Sequence, residues 1–295
     1  MNLKTLFTEY YYESKDSVRK VLGKLVSPRK EIREFPADSI ETLVASHVHP
    51  YFFIKIGIED INTEIADTDL MLSKGEMGRE HYFSVGASAL NVINSVLALA
   101  QVDSPKTILD FGCGAGRVTR WLRAAFPQAT ISACDLREAD LAFVRNKLGA
   151  STWVSGTDAG NLQQPFPFPL HLIWLGSVVT HLDDTTSEAL VRKLVEWLKP
   201  RGLLIASLHG RTACTFGNSG KIPYIRDDLW QKIVIDYHAN GYGYSDYPGQ
   251  KRYGISLTSP EWVMRLAKRI EGSRLVQFGE ALWDGHHDIV ALQRL

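Results

Sequence analysis

The stretch Thr107-Ile108-Leu109-Asp110-Phe111-Gly112-Cys113-Gly114-Ala115-Gly116-Arg117 constrains this chain more than any other. Thr107 to Phe111 is a short apolar run with β propensity, and Val118, Trp121, Leu122 and Ala125 follow at the i, i+3, i+4, i+7 spacing of a helix. A strand therefore breaks into glycines and restarts as a helix. Glycine suits that turn because a Cβ would block both its tight path and the approach of a ligand to backbone. The helix N-terminus then offers unpaired N–H groups to a negative group.

The spacing selects among ligands. A dinucleotide turn reads G-x-G-x-x-G, its third glycine letting the helix pack on the strand. Here the glycines are Gly112, Gly114 and Gly116, and Arg117 stands where that third glycine belongs. A nicotinamide site is disfavoured, and the absence of GxxxxGK[ST] disfavours an NTPase loop. Asp110 ends the strand, a poor neighbour for a pyrophosphate and a reasonable one for an ammonium.

The stretch DFGCGAG resembles the first motif of the class I S-adenosylmethionine-dependent methyltransferases. ILDFGCGAGRVTRWL, AFPQATISACDL, LIWLGSVVTHLD and LKPRGLLIASLHGR follow in the order of a bacterial subfamily of stand-alone methyltransferases, covering about Lys106 to Gly210. The resemblance implies an α/β fold, a doubly wound, mostly parallel seven-stranded sheet with a terminal antiparallel hairpin. It implies S-adenosyl-L-methionine as cofactor, with contacts from Asp110, Gly112, Cys113, Gly114, Gly116, Asp135, Leu136, Asp158, Ala159 and Gly176. Tyr82, just before the first strand, is a candidate for the aromatic that closes over the cofactor in related enzymes; it reads equally as a half-buried packing residue.

Composition sets the outer bounds. At 295 residues and 45% apolar the chain can bury a large core. Lys+Arg and Asp+Glu both number 33, so no global field draws it to nucleic acid or an anionic membrane, and no nucleic-acid partner is expected. Cys113, Cys134 and Cys214 form no disulfide framework. The first residues lack a signal-peptide core, and no run reads as a membrane span. A cytoplasmic protein is expected, and the sequence leaves its oligomeric state open.

Residues 1–100 read as a helical extension or cap, and 101–295 as the methyltransferase domain. Ser14 to Val26 has the pattern of a basic amphipathic helix, which fits a solvated helix face or a contact with a membrane or acidic partner. His47 and His49 could share one strand face, but with no third ligand near them no metal is expected. Glu80 to Ala100 reads as a helix with Val85, Ala89, Val92, Val96 and Leu99 in one stripe, lying across the sheet edge.

Thr130 to Asp135 reads as the second strand, and Asp135 follows Gly116 at close to the spacing of about 20 at which a carboxylate meets a ribose. Asp135 also reads as an N-cap for a helix from Arg137 to Leu148, stopped by Gly149. A third strand spans Ser151 to Ser155. By resemblance Asp158 accepts from the adenine amino group and Ala159 supplies a backbone N–H, although Asp158 alone is also an ordinary turn residue. Pro165 to Pro169 is a rigid connector into a strand from Leu170 to Leu175. Thr185 and Glu188 have capping-box spacing, and the helix they open stops at Lys199-Pro200-Arg201-Gly202 before a strand from Leu203 to Leu208.

Residues 211–256, rich in Gly, Pro and Tyr, break the rhythm as an insertion and read as either the acceptor region or a tyrosine-rich hairpin. Ser259-Pro260 opens another helix, and Arg274–Leu282 and Asp288–Gln293 form the last hairpin around Asp284-Gly285.

Methyl transfer from a sulfonium is an in-line displacement in which positioning in a dry pocket does most of the work. A hydroxyl acceptor additionally profits from a base, for which histidine is the default. His181 and His209 follow the fourth and fifth strands, where the reacting end of the cofactor belongs, and His286 and His287 are further candidates. His181 reads equally as a residue that packs before the capping box at Thr185. The function expected is methyl transfer to a small-molecule or saccharide acceptor, at oxygen; the alternative is a binding module that keeps the cofactor pocket without turnover.

Overall fold

The computed structural model describes residues 56–72 and 76–295. The basic helix expected at Ser14 to Val26 and the pair His47 and His49 lie outside the described residues. Helix α1 spans Glu76–Ala100, followed by β1 (Thr107–Phe111), α2 (Thr119–Ala125), β2 (Thr130–Asp135), α3 (Glu138–Leu148), β3 (Ser151–Val154) and β4 (Leu170–Leu175). Then come α4 (Asp184–Glu196), β5 (Leu198–His209), α5 (Arg211–Asn218), α6 (Asp227–Asn240), β6 (Tyr242–Asp246), β7 (Gly254–Thr258), α7 (Pro260–Arg269), β8 (Ser273–Trp283) and β9 (His287–Arg294). Seven strands form one sheet in the order β3-β2-β1-β4-β5-β9-β8, with β9 antiparallel to both its neighbours, as expected of the sheet. The order reverses at β1 and β4, the crevice where open α/β sheets bind ligands.

The central strands are apolar on both faces, which is why their sequences run nearly continuous rather than alternating. Ile108, Leu172, Trp174, Leu203 and Ile205 face one core layer, together with α1, α2 and α3. Leu109, Ile173, Leu175, Leu204 and Ala206 face the other, together with α4 and α7. Trp174 and Trp283 meet edge to face at 5.2 Å within the first layer, and the Trp283 indole donates to the Val85 carbonyl at 3.0 Å.

Helix α1 differs from expectation in two respects. Leu99 is 55% exposed and leaves the stripe, because Ala100 and Val102 take the core side at the helix end. Its window Gly78–Ala100, mean hydropathy 1.6, is long and apolar enough to cross a membrane, contrary to the expectation that no run qualifies. That window is 67% buried here, as suits a core helix.

Two boundaries also shift. The N-cap of α4 is Asp183, whose carboxylate accepts from the Thr186 N–H at 2.9 Å; Thr185 lies inside the helix, so the expected Thr185–Glu188 box does not form. Strand β5 begins at Leu198, not Leu203, because Leu198 pairs with Leu170 and Arg201 turns the chain at φ +65°. The last capped helix does match: Ser259 caps α7 by accepting from the Trp262 N–H at 3.2 Å, with Pro260 in the first turn.

The insertion is regular. Helices α5 and α6 and the β6–β7 hairpin enclose a small core of Ala213, Cys214, Trp230, Ile233, Tyr237, Ile255 and Leu257. Tyr237 and Tyr242 are buried packing residues, whereas Tyr253 is exposed toward the hairpin tip.

Candidate active site

The glycine turn is fixed by the strand beside it. The N–H groups of Gly112 and Cys113 both donate to the Cys134 carbonyl, at 2.8 and 3.0 Å, and the Gly114 N–H donates to Asp135 Oδ2 at 2.9 Å. Asp135 Oδ1 accepts from the Arg137 N–H at 3.2 Å, while α3 begins with Arg137 as its uncapped N-cap. Asp135 thus braces the turn and is not the helix cap.

Gly114 and Gly116 show two different uses of glycine, both at positive φ. A Cβ on Gly116 would stand 2.4 Å from Leu148 Cδ1, whereas a Cβ on Gly114 would meet nothing within 4 Å. Gly116 lets the turn pack, and Gly114 presents backbone to open space. Gly116→Ala is accordingly expected to cost about 2–4 kcal/mol of stability, from backbone strain and overpacking. Gly114→Ala is expected to cost about 1–2 kcal/mol, from strain alone, and to weaken cofactor binding. Chemical denaturation and calorimetry on the two variants check this.

Asp110 is 2% exposed and accepts from the Thr119 hydroxyl at 2.6 Å. Burial, with the Asp135 charge adding to it and the Thr119 bond opposing, pushes its carboxyl up to about 7. Leu136 beside Asp135 is 52% exposed. Asp158 caps a short 3-10 turn, accepting from the Gly160 N–H at 3.2 Å and the Asn161 amide at 2.7 Å, and the Asn161 bond holds it below the usual carboxylate range. Ala159 is buried beneath it. Both readings of Asp158 start from this turn, which already occupies part of its acceptor capacity. Gly176 follows β4 against the Trp174 indole, and Ser177 beyond it, at φ +56°, donates its N–H to Ser207 Oγ at 2.7 Å.

Tyr82 departs from the half-buried reading. It is 0% exposed, and its hydroxyl donates to Asp69 at 2.7 Å and accepts from Arg120 at 3.3 Å. Arg120, itself 1% exposed, also donates to the carbonyls of Asn62 and Glu64, at 2.6 Å each, and of Gly116 at 3.1 Å. Residues 56–72 are thereby tied to the glycine turn. Sequence reasoning assigned no role to Arg117. Its guanidinium sits 6.0 Å from the ring centres of both Tyr82 and Trp283 and has no hydrogen-bond or ion-pair partner among the described residues. It is a half-buried cation available to an anionic group, held by cation–π contacts.

His181 ends a 3-10 turn after β4. Its Nδ1 lies 2.8 Å from the Gly254 carbonyl. A carbonyl only accepts, so Nδ1 carries the proton and Nε2 keeps its lone pair. The ring stacks on Tyr253 at 5.0 Å, and burial lowers its pKa, against the Gly254 bond. The β6–β7 hairpin thus covers His181, and the Asp135 charge reaches Tyr253 on its tip. His209 is buried at the end of β5 beside His286 and His287, its ring 4.7 Å from that of His287. Tyr224, another residue sequence reasoning did not single out, packs 4.9 Å from His209. A cavity of about 510 Å³ lies beside Asn62, Arg120 and Lys147, and another of about 390 Å³ beside Arg211, His238 and Arg265.

Residues 109–204 match the family described as "Methyltransferase domain". A curated relative, malonyl-[acyl-carrier protein] O-methyltransferase of Halalkalibacterium halodurans, is 35% identical over 113 residues, 37% of this chain and 41% of that protein. The chain therefore spans less than half the length of the curated relative it matches. Among solved structures, the plantazolicin methyltransferase BpumL in complex with SAH aligns with a TM-score of 0.51 at 16% identity, over 73% of this chain and 86% of that one. The same enzyme with a monoazolic desmethylPZN analog and SAH aligns with a TM-score of 0.50 over the same shares. Strand order, glycine turn and family match agree: residues 109–204 carry a methyltransferase domain, set in a doubly wound sheet that ends in an antiparallel hairpin.

Proposed function

We propose that the protein transfers the methyl group of S-adenosylmethionine to a hydroxyl oxygen of a small-molecule or saccharide acceptor, with His181 as general base. The observation that carries this reading is the His181 tautomer: Nδ1–H is held by the Gly254 carbonyl, so a neutral Nε2 lone pair remains at the carboxyl end of β4. The relative's name supports it, since that protein is an O-methyltransferase of a carrier-bound malonyl group. A cytoplasmic setting suits three buried free thiols in this proposal.

When bound, the cofactor supplies a methyl group on a sulfonium. Asp135 holds the ribose hydroxyls and Asp110 the ammonium; Asp158 and Ala159 meet the adenine, with Leu136 at its edge. The backbone of Gly112, Cys113, Gly114, Gly116 and Gly176 lines the floor, and Tyr82 supports the wall through Arg117. The open space above Gly114 fits a ligand that approaches backbone closely. His181 takes the acceptor proton, with His209 beyond it. Incubating the protein with methyl-labelled cofactor and fractionated small-molecule extracts tests the reading: label should enter a product as a methyl ether or ester. Label found only on nitrogen, or none transferred by a protein that binds the cofactor, contradicts it.

Asp110 gives the reading a pH signature. With its carboxyl raised to about 7, it is neutral below that pH and cannot hold an ammonium. Affinity for the demethylated cofactor, S-adenosylhomocysteine, is expected to rise from pH 6 to 8, by up to ~10-fold per unit below the pKa and levelling above it. Calorimetry on wild type and Asp110→Asn measures this, and the variant should lose the slope.

A further inference from the structure

Three imidazoles face one another at the carboxyl end of β5. His287 opens β9 directly opposite His209 in the antiparallel register, and His286 precedes it in the turn from β8. One ring nitrogen from each of the three lies within 4.8 Å of the others. His286 Nδ1 lies 2.8 Å from the Asp284 carbonyl, and the His209 ring bonds the Ser256 backbone. Those bonds fix each tautomer and leave the other nitrogen with its lone pair. His209 Nδ1 and His287 Nδ1 are both buried without a hydrogen-bond partner, and so is the Tyr224 hydroxyl beside His209. A buried polar atom without a partner is costly, and three of them lie together here.

We propose that His209, His286 and His287 bind one divalent transition-metal ion of the zinc class, one nitrogen each, with a fourth position on the side of Tyr224. The donor set decides the ion: three neutral imidazoles suit zinc, whereas magnesium and calcium require oxygen ligands. Backbone carbonyls on the distal nitrogens of His209 and His286 are the outer-shell partners that metal-bound histidines use. The Asp284 carboxylate, 3.9 Å from His286 Nδ1, places an anion at the rim, against the nearby charge of Arg117. Three protein ligands with one open position is the arrangement of reactive rather than purely structural zinc. An acceptor hydroxyl could occupy that position; this consequence rests on the proposed methyl transfer, and the metal site does not.

The test uses the untagged full chain, stripped by chelator and titrated with zinc chloride and with cobalt chloride. One equivalent of zinc is expected, and cobalt should give the visible absorption of a tetrahedral site, erased by one equivalent of zinc. His209→Ala and His287→Ala should weaken zinc binding by at least ~10–100-fold. His286→Gln, in the turn between β8 and β9 and the least buried of the three, should do the same with unchanged circular dichroism and melting temperature, so that loss of metal is separable from loss of fold. Folded wild type that takes up no zinc, or variants that bind it equally, overturn the proposal. S-adenosylhomocysteine binding is measured on the same samples: intact cofactor binding without zinc sinks the metal site alone, and loss of cofactor binding bears on the methyltransferase reading instead.

Discussion

Exchange of His181 for glutamine or alanine is expected to lower methyl transfer to a hydroxyl acceptor by about 10²–10⁴-fold, the usual contribution of a positioned base, with S-adenosylhomocysteine affinity unchanged. Among the described residues the side chain bonds only Gly254 and Tyr247, at 2.8 and 3.3 Å, and neither belongs to the glycine turn, so its removal leaves that turn intact. Burial lowers the His181 pKa, so its lone pair is free through neutral pH. At saturating cofactor the wild-type rate should therefore hold steady around pH 7 and fall only in acid, once Nε2 gains a proton. Rates in the variant should lose that acid limb. Joint loss of cofactor binding and thermal stability would assign His181 to packing. Full activity would move the base to another group, or the acceptor to an amine that needs none.

The second large effect is expected at Asp135. Its carboxylate accepts from Gly114 and Arg137 and is the residue proposed to hold the ribose. Asp135→Ala should cost about 1.5–3 kcal/mol of cofactor affinity, the range for a hydrogen bond to a charged group, or roughly 10–100-fold in Kd. Part of that loss comes from the turn, which would no longer be braced at Gly114. Asp135→Asn separates the two contributions: an amide oxygen can still accept from the Gly114 N–H, so stability should recover while ribose binding, which uses both carboxylate oxygens, stays weak. Calorimetry with parallel thermal melts measures both. Unchanged affinity in Asp135→Ala removes the residue from the site.

Sequence reading succeeded where a local pattern and the tertiary environment agree. Thr107–Phe111, Thr130–Asp135 and Leu170–Leu175 are apolar because the sheet buries both their faces, so each run shows itself without reference to its neighbours. Gly149 at φ +65° and Ser259-Pro260 likewise act through their own backbone and caps. The misplaced cap has an equally local cause. Asp183 and Thr185 are both capping residue types two positions apart, and only the path of the chain after β4 decides which one meets a free N–H. Residues 198–202 read as a stop because of Pro200 and Gly202, yet pairing of Leu198 with Leu170 draws them into β5.

The site was legible in its turn and obscure in its assembly. Asp110, the glycines and Asp135 fall within one β-turn-α unit and its neighbour, where spacing alone brings them together. His209 and His287 meet only through the register of β5 on β9, and Tyr224 reaches them from the insertion. No spacing rule joins residues that far apart, which is why the sequence suggested no metal. Arg117 was read only as the residue that excludes a third glycine; its place between Tyr82 and Trp283 depends on α1 and β8 arriving from opposite ends of the chain.

The most direct measurement is calorimetric titration of the full chain with S-adenosylhomocysteine and, separately, with NAD. Glycines at 112, 114 and 116, Arg117 in place of a third glycine, and Asp110 and Asp135 at the ends of their strands predict saturable binding of S-adenosylhomocysteine and none of NAD. Binding of NAD with no binding of S-adenosylhomocysteine would contradict the account.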